Sequence, residues 1–126
     1  MALTLKHGKG VYLGSLTITV ASDDDASDIM TADVYGNFSA ISIISDGTAQ
    51  VGTITLAALR HYTLDETNDA NWATIQSPPG TDVTIAADKA IALTALPFAA
   101  IRLESSGTET SDQVYYVYGH RGTAAN

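Results

Sequence analysis

There is no cysteine among the 126 residues, so a disulfide framework and a thiolate metal site are both excluded. Charge is scarce as well. Asp, Glu, Lys and Arg make up 16% of the chain, against about 25% in an average globular protein. Cations are the scarcest charge: six Lys and Arg stand against fourteen Asp and Glu, a formal net charge of −8. Phosphate affinity comes from clustered Lys and Arg, so direct nucleic-acid binding is disfavoured. Long apolar runs are missing. The stretch Ala86–Ile101 comes closest, and Asp88, Lys89, Thr94 and Pro97 break it, so no membrane span is read. The opening "MALTLKHGKG" lacks the apolar core of a secretion signal, and none is expected.

Apolar residues still amount to 45%, enough to build one buried core in a chain of this length. Their period is two. "SLTITVA" (Ser15–Ala21) alternates Leu16, Ile18 and Val20 with threonines, the pattern of a half-buried strand. Further strands are expected at Ile29–Tyr35, Ser39–Ser45, Asn71–Gln76, Val83–Ala86, Ala90–Leu93, Phe98–Ser105 and Gln113–Gly119. Gln50–Asp65 reads as one long strand, or as two joined by a bulge near Gly52 or Ala57. Turn residues punctuate these runs at Asp46–Gly47, Pro78–Gly80 and Asp88–Lys89. Eight or nine short strands predict an all-β fold: a single antiparallel β-sandwich or jelly roll. An extended N-terminal arm (1–14) precedes the sandwich (15–119), and a short tail (120–126) follows it. At most one helical turn is expected in Ala86–Ala100.

Little in the sequence points to catalysis or to a cofactor. His7, His61 and His120 lie far apart, with no metal-ligand spacing and no nucleophile-elbow serine nearby. The cluster "DDDASD" with Asp33 lacks the glycine and closing glutamate of an EF-hand and reads as a solvated loop. No catalytic, cofactor or metal residue is assigned. Arg102, between Ile101 and Leu103, is expected on the outer face of its sheet, paired with a carboxylate on a neighbouring strand.

The aromatic residues carry more information. "TLDETNDANWATIQ" holds the single tryptophan, Trp72, read as a structural plug over one end of the sandwich rather than a displayed platform. In "QVYYVYG", Tyr115 faces one way and Tyr116 and Tyr118 the other, so that strand is expected in the core and at a subunit contact. Five of the nine Lys, Arg and His residues lie at the two ends: Lys6, His7 and Lys9 at the start, His120 and Arg121 near the finish. Leu3 and Leu5 alternate around Thr4 beside Lys6, His7 and Lys9, a segment suited to adding a strand to a neighbouring sheet edge. Candidate contact residues are therefore Leu3, Leu5, Lys6, Lys9, Tyr116, Tyr118, His120 and Arg121.

The cadence of the second half, "SDG", "ITLAALRHYTLD", "NWATI", "DVTI" and "LTALPFAAIRLESSGTETSDQVYYVYG", resembles small phage virion proteins. More distantly it is similar to discoidin-like galactose-binding sandwiches. Asn71 and Trp72 match the hairpin, and Phe98, Ile101, Arg102 and Leu103 the strand. The insertion Glu66–Ala70 departs from the short hairpin. The resemblance implies a non-enzymatic capsid decoration (cement) protein on the virion surface. Its partners would be the major capsid protein and copies of itself in a homotrimer, with no nucleic acid and no membrane. The alternatives are a carbohydrate-binding or host-attachment module, or a tail or connector component.

Overall fold

The computed structural model describes residues 10–20, 25–47, 50–94 and 96–121. Nine strands form two antiparallel sheets: β1 (Val11–Ile18), β2 (Met30–Thr31), β3 (Ala40–Ser45), β4 (Ile54–Leu59), β5 (Trp72–Thr74), β6 (Thr84–Ile85), β7 (Ala90–Thr94), β8 (Ala100–Ser105) and β9 (Gln113–His120). One sheet has the order β1-β9-β3-β7. The other runs β2-β8-β4-β5, with β6 also paired to β4. The protein is an all-β sandwich, as the period-two pattern predicts.

Alternation explains the core. In β9, Gln113, Tyr115, Val117 and Gly119 are buried, and Val114, Tyr116, Tyr118 and His120 face outward. β3 buries Ile41, Ile43 and Ser45 and turns out Ala40, Ser42 and Ile44. From the other sheet come Ile54, Leu56, Ile85, Ile101 and Leu103, and together these side chains form the main core. Each large aliphatic side chain withdrawn from water contributes roughly 1.5–3 kcal/mol.

Where the sequence pattern was irregular, the structure supplies a reason. Gln50–Asp65 contains one strand, β4, and no bulge. Its apolar residues drop out of a single register because the strand is covered on both sides. Ile54, Leu56 and Ala58 face the main core, while Ala57 and Leu59 join a second cluster on the outer face. The bulge lies instead in β1, between Tyr12 and Gly14, with Gly14 at φ +133°, a conformation that glycine adopts without strain. Val11–Gly14 thus belong to β1, which starts earlier than the alternation at Ser15 indicates, and His120 closes β9. Ile29–Tyr35 divides into β2 and a four-residue helix, α1 (Ala32–Tyr35). The Tyr35 hydroxyl donates to the Phe98 carbonyl, and burial pushes its pKa up to about 12.

A buried carboxylate ties the sandwich together at one end. Glu109, 1% exposed, accepts hydrogen bonds from the amides of Val51 (2.7 Å) and Gly52 (2.9 Å) and from the Ser105 hydroxyl (2.7 Å). Burial pushes its carboxyl up, but the bonds from Val51, Ser105 and Gly52 outweigh that and hold it below its ordinary value.

Candidate interaction face

The four strands of the β1-β9-β3-β7 sheet contain no Asp, Glu, Lys or Arg. Register fixes what lines the outer face. Tyr12 stands opposite Tyr118, Ser15 opposite Tyr116 and Thr17 opposite Val114. Across β9, Ala40, Ser42 and Ile44 stand opposite His120, Tyr118 and Tyr116. β7 adds Ala90, Ala92 and Thr94. The result is a sheet surface of tyrosines, small residues and one histidine on a chain of net charge −8.

The tyrosines form a cluster. Tyr12 lies 5.4 Å from Tyr118 and 6.4 Å from Tyr116 between ring centroids, both pairs tilted, which is a favourable arrangement for aromatic quadrupoles. Tyr12 is 54% exposed, and Tyr116 and Ile44 are each 37% exposed. His120 is positioned beside them by a 3.0 Å hydrogen bond between its Nε2 and the Ser42 hydroxyl. Close packing at Gly10 also confines the ring, since a Cβ at Gly10 would stand 3.1 Å from it. With strands roughly 4.8 Å apart and a rise of about 3.3 Å per residue, the face measures roughly 300–500 Å². That is the size of a functional surface patch.

Of the candidate contact residues, Tyr116, Tyr118 and His120 come together on this face. Arg121 does not join them. It follows β9, and its guanidinium stacks on the Phe38 ring 4.8 Å away. Phe38 in turn lies flat on Gly119, where any Cβ would come within 2.5–2.7 Å of the ring. Leu3, Leu5, Lys6, His7 and Lys9 lie outside the described residues. Tyr12, Ile44 and the alanines of β7 were not singled out in the sequence. The alternation of Ile44 and of the β7 alanines with less exposed neighbours was legible, that of Tyr12 was not, and the shared face depends on strand order.

Trp72 is buried, yet not over an end of the sandwich. It sits on the outer face of the other sheet, with Ala57, Leu59 and Ala100 and, at the margin, Ile29 and Leu64. The segment between β4 and β5 closes over it, and the indole Nε1 donates to the Glu66 carbonyl at 3.0 Å. The guanidinium of Arg102 lies 4.6 Å above the indole. Arg102 does occupy an outer face, but it is 3% exposed, and its carboxylate partners differ from the expected ones. They are Glu104, two residues along its own strand (2.7 Å), and Asp69 in the covering segment (3.2 Å). On β4, the residue opposite Arg102 is Ala57.

The covering segment also displays His61 stacked on Tyr62 at 4.7 Å. They border a cleft of about 290 Å³ with Arg60, Pro97 and Phe98. Among the described residues, no three His, Asp or Glu side chains converge as metal ligands. In the acidic passage, Asp28 accepts from the Thr17 amide at 2.8 Å and Asp33 accepts from the Thr31 hydroxyl. Asp23 and Asp24 lie outside the described residues. Comparison with known proteins returned no matching family model, no matching curated protein and no matching solved structure.

Proposed function

We propose that this chain is a non-enzymatic virion structural protein of a phage, a capsid decoration protein that seats the outer face of its β1-β9-β3-β7 sheet on the shell. The observation that carries the docking part is the uncharged tyrosine face, which no described segment roofs. Interface centres are depleted of charge and enriched in tyrosine, and an acidic protein meets a partner most cheaply where it presents no carboxylates. The assignment to phage shells rests on the cadence of residues 39–119. Purified protein should co-sediment with expanded, undecorated shells, and Tyr116→Asp or Tyr118→Asp should abolish that binding while the fold is kept. Wild-type protein that ignores shells, or two variants that bind as well as wild type, would defeat the reading.

A carbohydrate-binding or host-attachment module is the second reading, and one observation favours it. The exposed His61–Tyr62 stack beside the 290 Å³ cleft offers a ring surface with Arg60 as a donor. Glycan binding lost in Tyr62→Ala, by a protein indifferent to shells, would put this reading first.

A further inference from the structure

The free edges of the two sheets are not alike. β2 has two residues and β5 three, too short to template much pairing. β1 is longer, but it is kinked by the bulge at Gly14, and the Asp28 carboxylate occupies the outward amide of Thr17 at 2.8 Å. β7 carries none of these devices. Its five residues, Ala-Ile-Ala-Leu-Thr, hold no charge, no proline and no bulge.

The register shows which groups β7 offers. The Ser45 amide bonds to the Lys89 carbonyl at 2.9 Å, so the odd-numbered positions of this segment bond to β3. Ile91 and Leu93 therefore spend their amides and carbonyls on β3, and those of Ala90, Ala92 and Thr94 point away from the sheet. Among the described residues nothing meets them. Beside this edge lies a cleft of about 150 Å³ lined by Leu93, Leu96 and Phe98 together with Gln76, Ser77 and Thr94.

We infer that β7 pairs antiparallel with β7 of a second copy of this chain, about a two-fold axis at Ala92. The sequence is self-complementary in that register. Ala92 meets Ala92, Ala90 meets Thr94, and Ile91 meets Leu93, so small residues oppose small ones and branched residues oppose branched ones. All three outward-bonding positions fall opposite each other, which gives roughly six backbone hydrogen bonds. No charge enters the paired strands, and the Asp88 residues of the two copies fall at opposite ends. Pairing also joins two β1-β9-β3-β7 sheets into one. The uncharged face doubles, from roughly 300–500 Å² towards the roughly 800 Å² per partner of a standard interface. The pairing itself stands apart from the proposed function, since it uses the edge and not the tyrosine face. It is two-fold; a homotrimer would need a heterologous contact instead.

The test uses the full chain. Its mass by light scattering should rise with concentration from 13.2 kDa toward twice that value. As it does so, the amides of Ala90, Ala92 and Thr94 should become protected from hydrogen exchange, while those of Ile91 and Leu93 are protected throughout. Ala92→Lys places two ammonium groups across the axis on a solvent-exposed face. It should weaken association at least tenfold without changing the melting temperature at concentrations where both proteins are monomeric. An equimolar mixture of Ala92→Lys and Ala92→Glu chains should restore it. A monomer at every concentration, a trimer in which the three outward amides exchange freely, or an Ala92→Lys variant that associates normally would each overturn the pairing. Tyr116→Asp should leave the dimer intact while losing shells, so failure of the pairing and failure of the docking face are told apart.

Discussion

Both outer faces of this sandwich carry aromatic rings, but among the described residues only one is roofed by another segment of the chain. On the β2-β8-β4-β5 sheet, Trp72 is roofed by the segment joining β4 to β5, bonded to Glu66 and capped by Arg102. On the β1-β9-β3-β7 sheet, Tyr12 packs against Tyr116 and Tyr118, and Tyr12 and Tyr116 are exposed. The first face has been completed within the fold, at the expense of a twelve-residue excursion, Arg60–Asn71, between two hydrogen-bonded strands. The strands of the second carry no Asp, Glu, Lys or Arg.

Substitutions on the two faces should therefore separate stability from binding. The largest effect is expected from Trp72→Ala, which empties the covered face. A loss of about 3–5 kcal/mol in denaturant-induced unfolding is expected, comparable with other buried Trp truncations. A loss below about 1 kcal/mol would mean that the roof is ornamental and the two faces equivalent. Glu109→Gln acts on neither face and serves as a control. It replaces an acceptor with a donor against the amides of Val51 and Gly52 and should cost about 1–3 kcal/mol. Its pH signature follows from the sign of the shift. The folded carboxyl is held below its ordinary value, so its stabilisation is present above the unfolded pKa, near 4.5, and is lost as pH falls through the folded value. Urea midpoints measured from pH 7 down to pH 3 should fall less steeply for Glu109→Gln than for wild type.

On the tyrosine face the readout reverses. Tyr116→Asp should cost no more than about 1–2 kcal/mol of stability, because its partly buried ring packs against Tyr12, while shell binding weakens at least tenfold, or about 1.4 kcal/mol. A large loss of stability would show that the tyrosines are part of the fold's own packing. Deleting Met1–Lys9 should have a similar or smaller effect on shell binding and leave the folded protein as stable as before. Full-strength binding by the truncated chain would leave the tyrosine face as the sole anchor.

The two faces were not equally legible in the sequence. The alternation in "QVYYVYG" assigned Tyr115 inward and Tyr116 and Tyr118 outward, because a strand has period two and nothing local disturbs it. Burial of Trp72 was also legible, but its location was not. That location depends on which strand lies beside β5, and on a loop folding back over the sheet, neither of which leaves a local mark. β4 looked irregular for the same reason: a strand buried on both sides reads as a continuous apolar run and loses its alternation. The partners of Arg102 were hidden because Asp69 reaches it from thirty-three positions away. Tyr12 joined the tyrosine face only through the pairing of β1 with β9. The sequence reading began that strand at Ser15, since Gly14 interrupts the pattern where the bulge forms.

Strand order also sets a timetable. β9 lies between β1 and β3, so Val11 finds its partner only in Gly119. At roughly 5–20 residues per second of synthesis, β1 waits seconds for a neighbour, and β3 and β7 can form only a two-stranded ribbon. The tyrosine face cannot exist on a growing chain, because its two central rings arrive with the last strand. A chain that stops short of Gln113 lacks β9, and with it Tyr116 and Tyr118, so it cannot present that face.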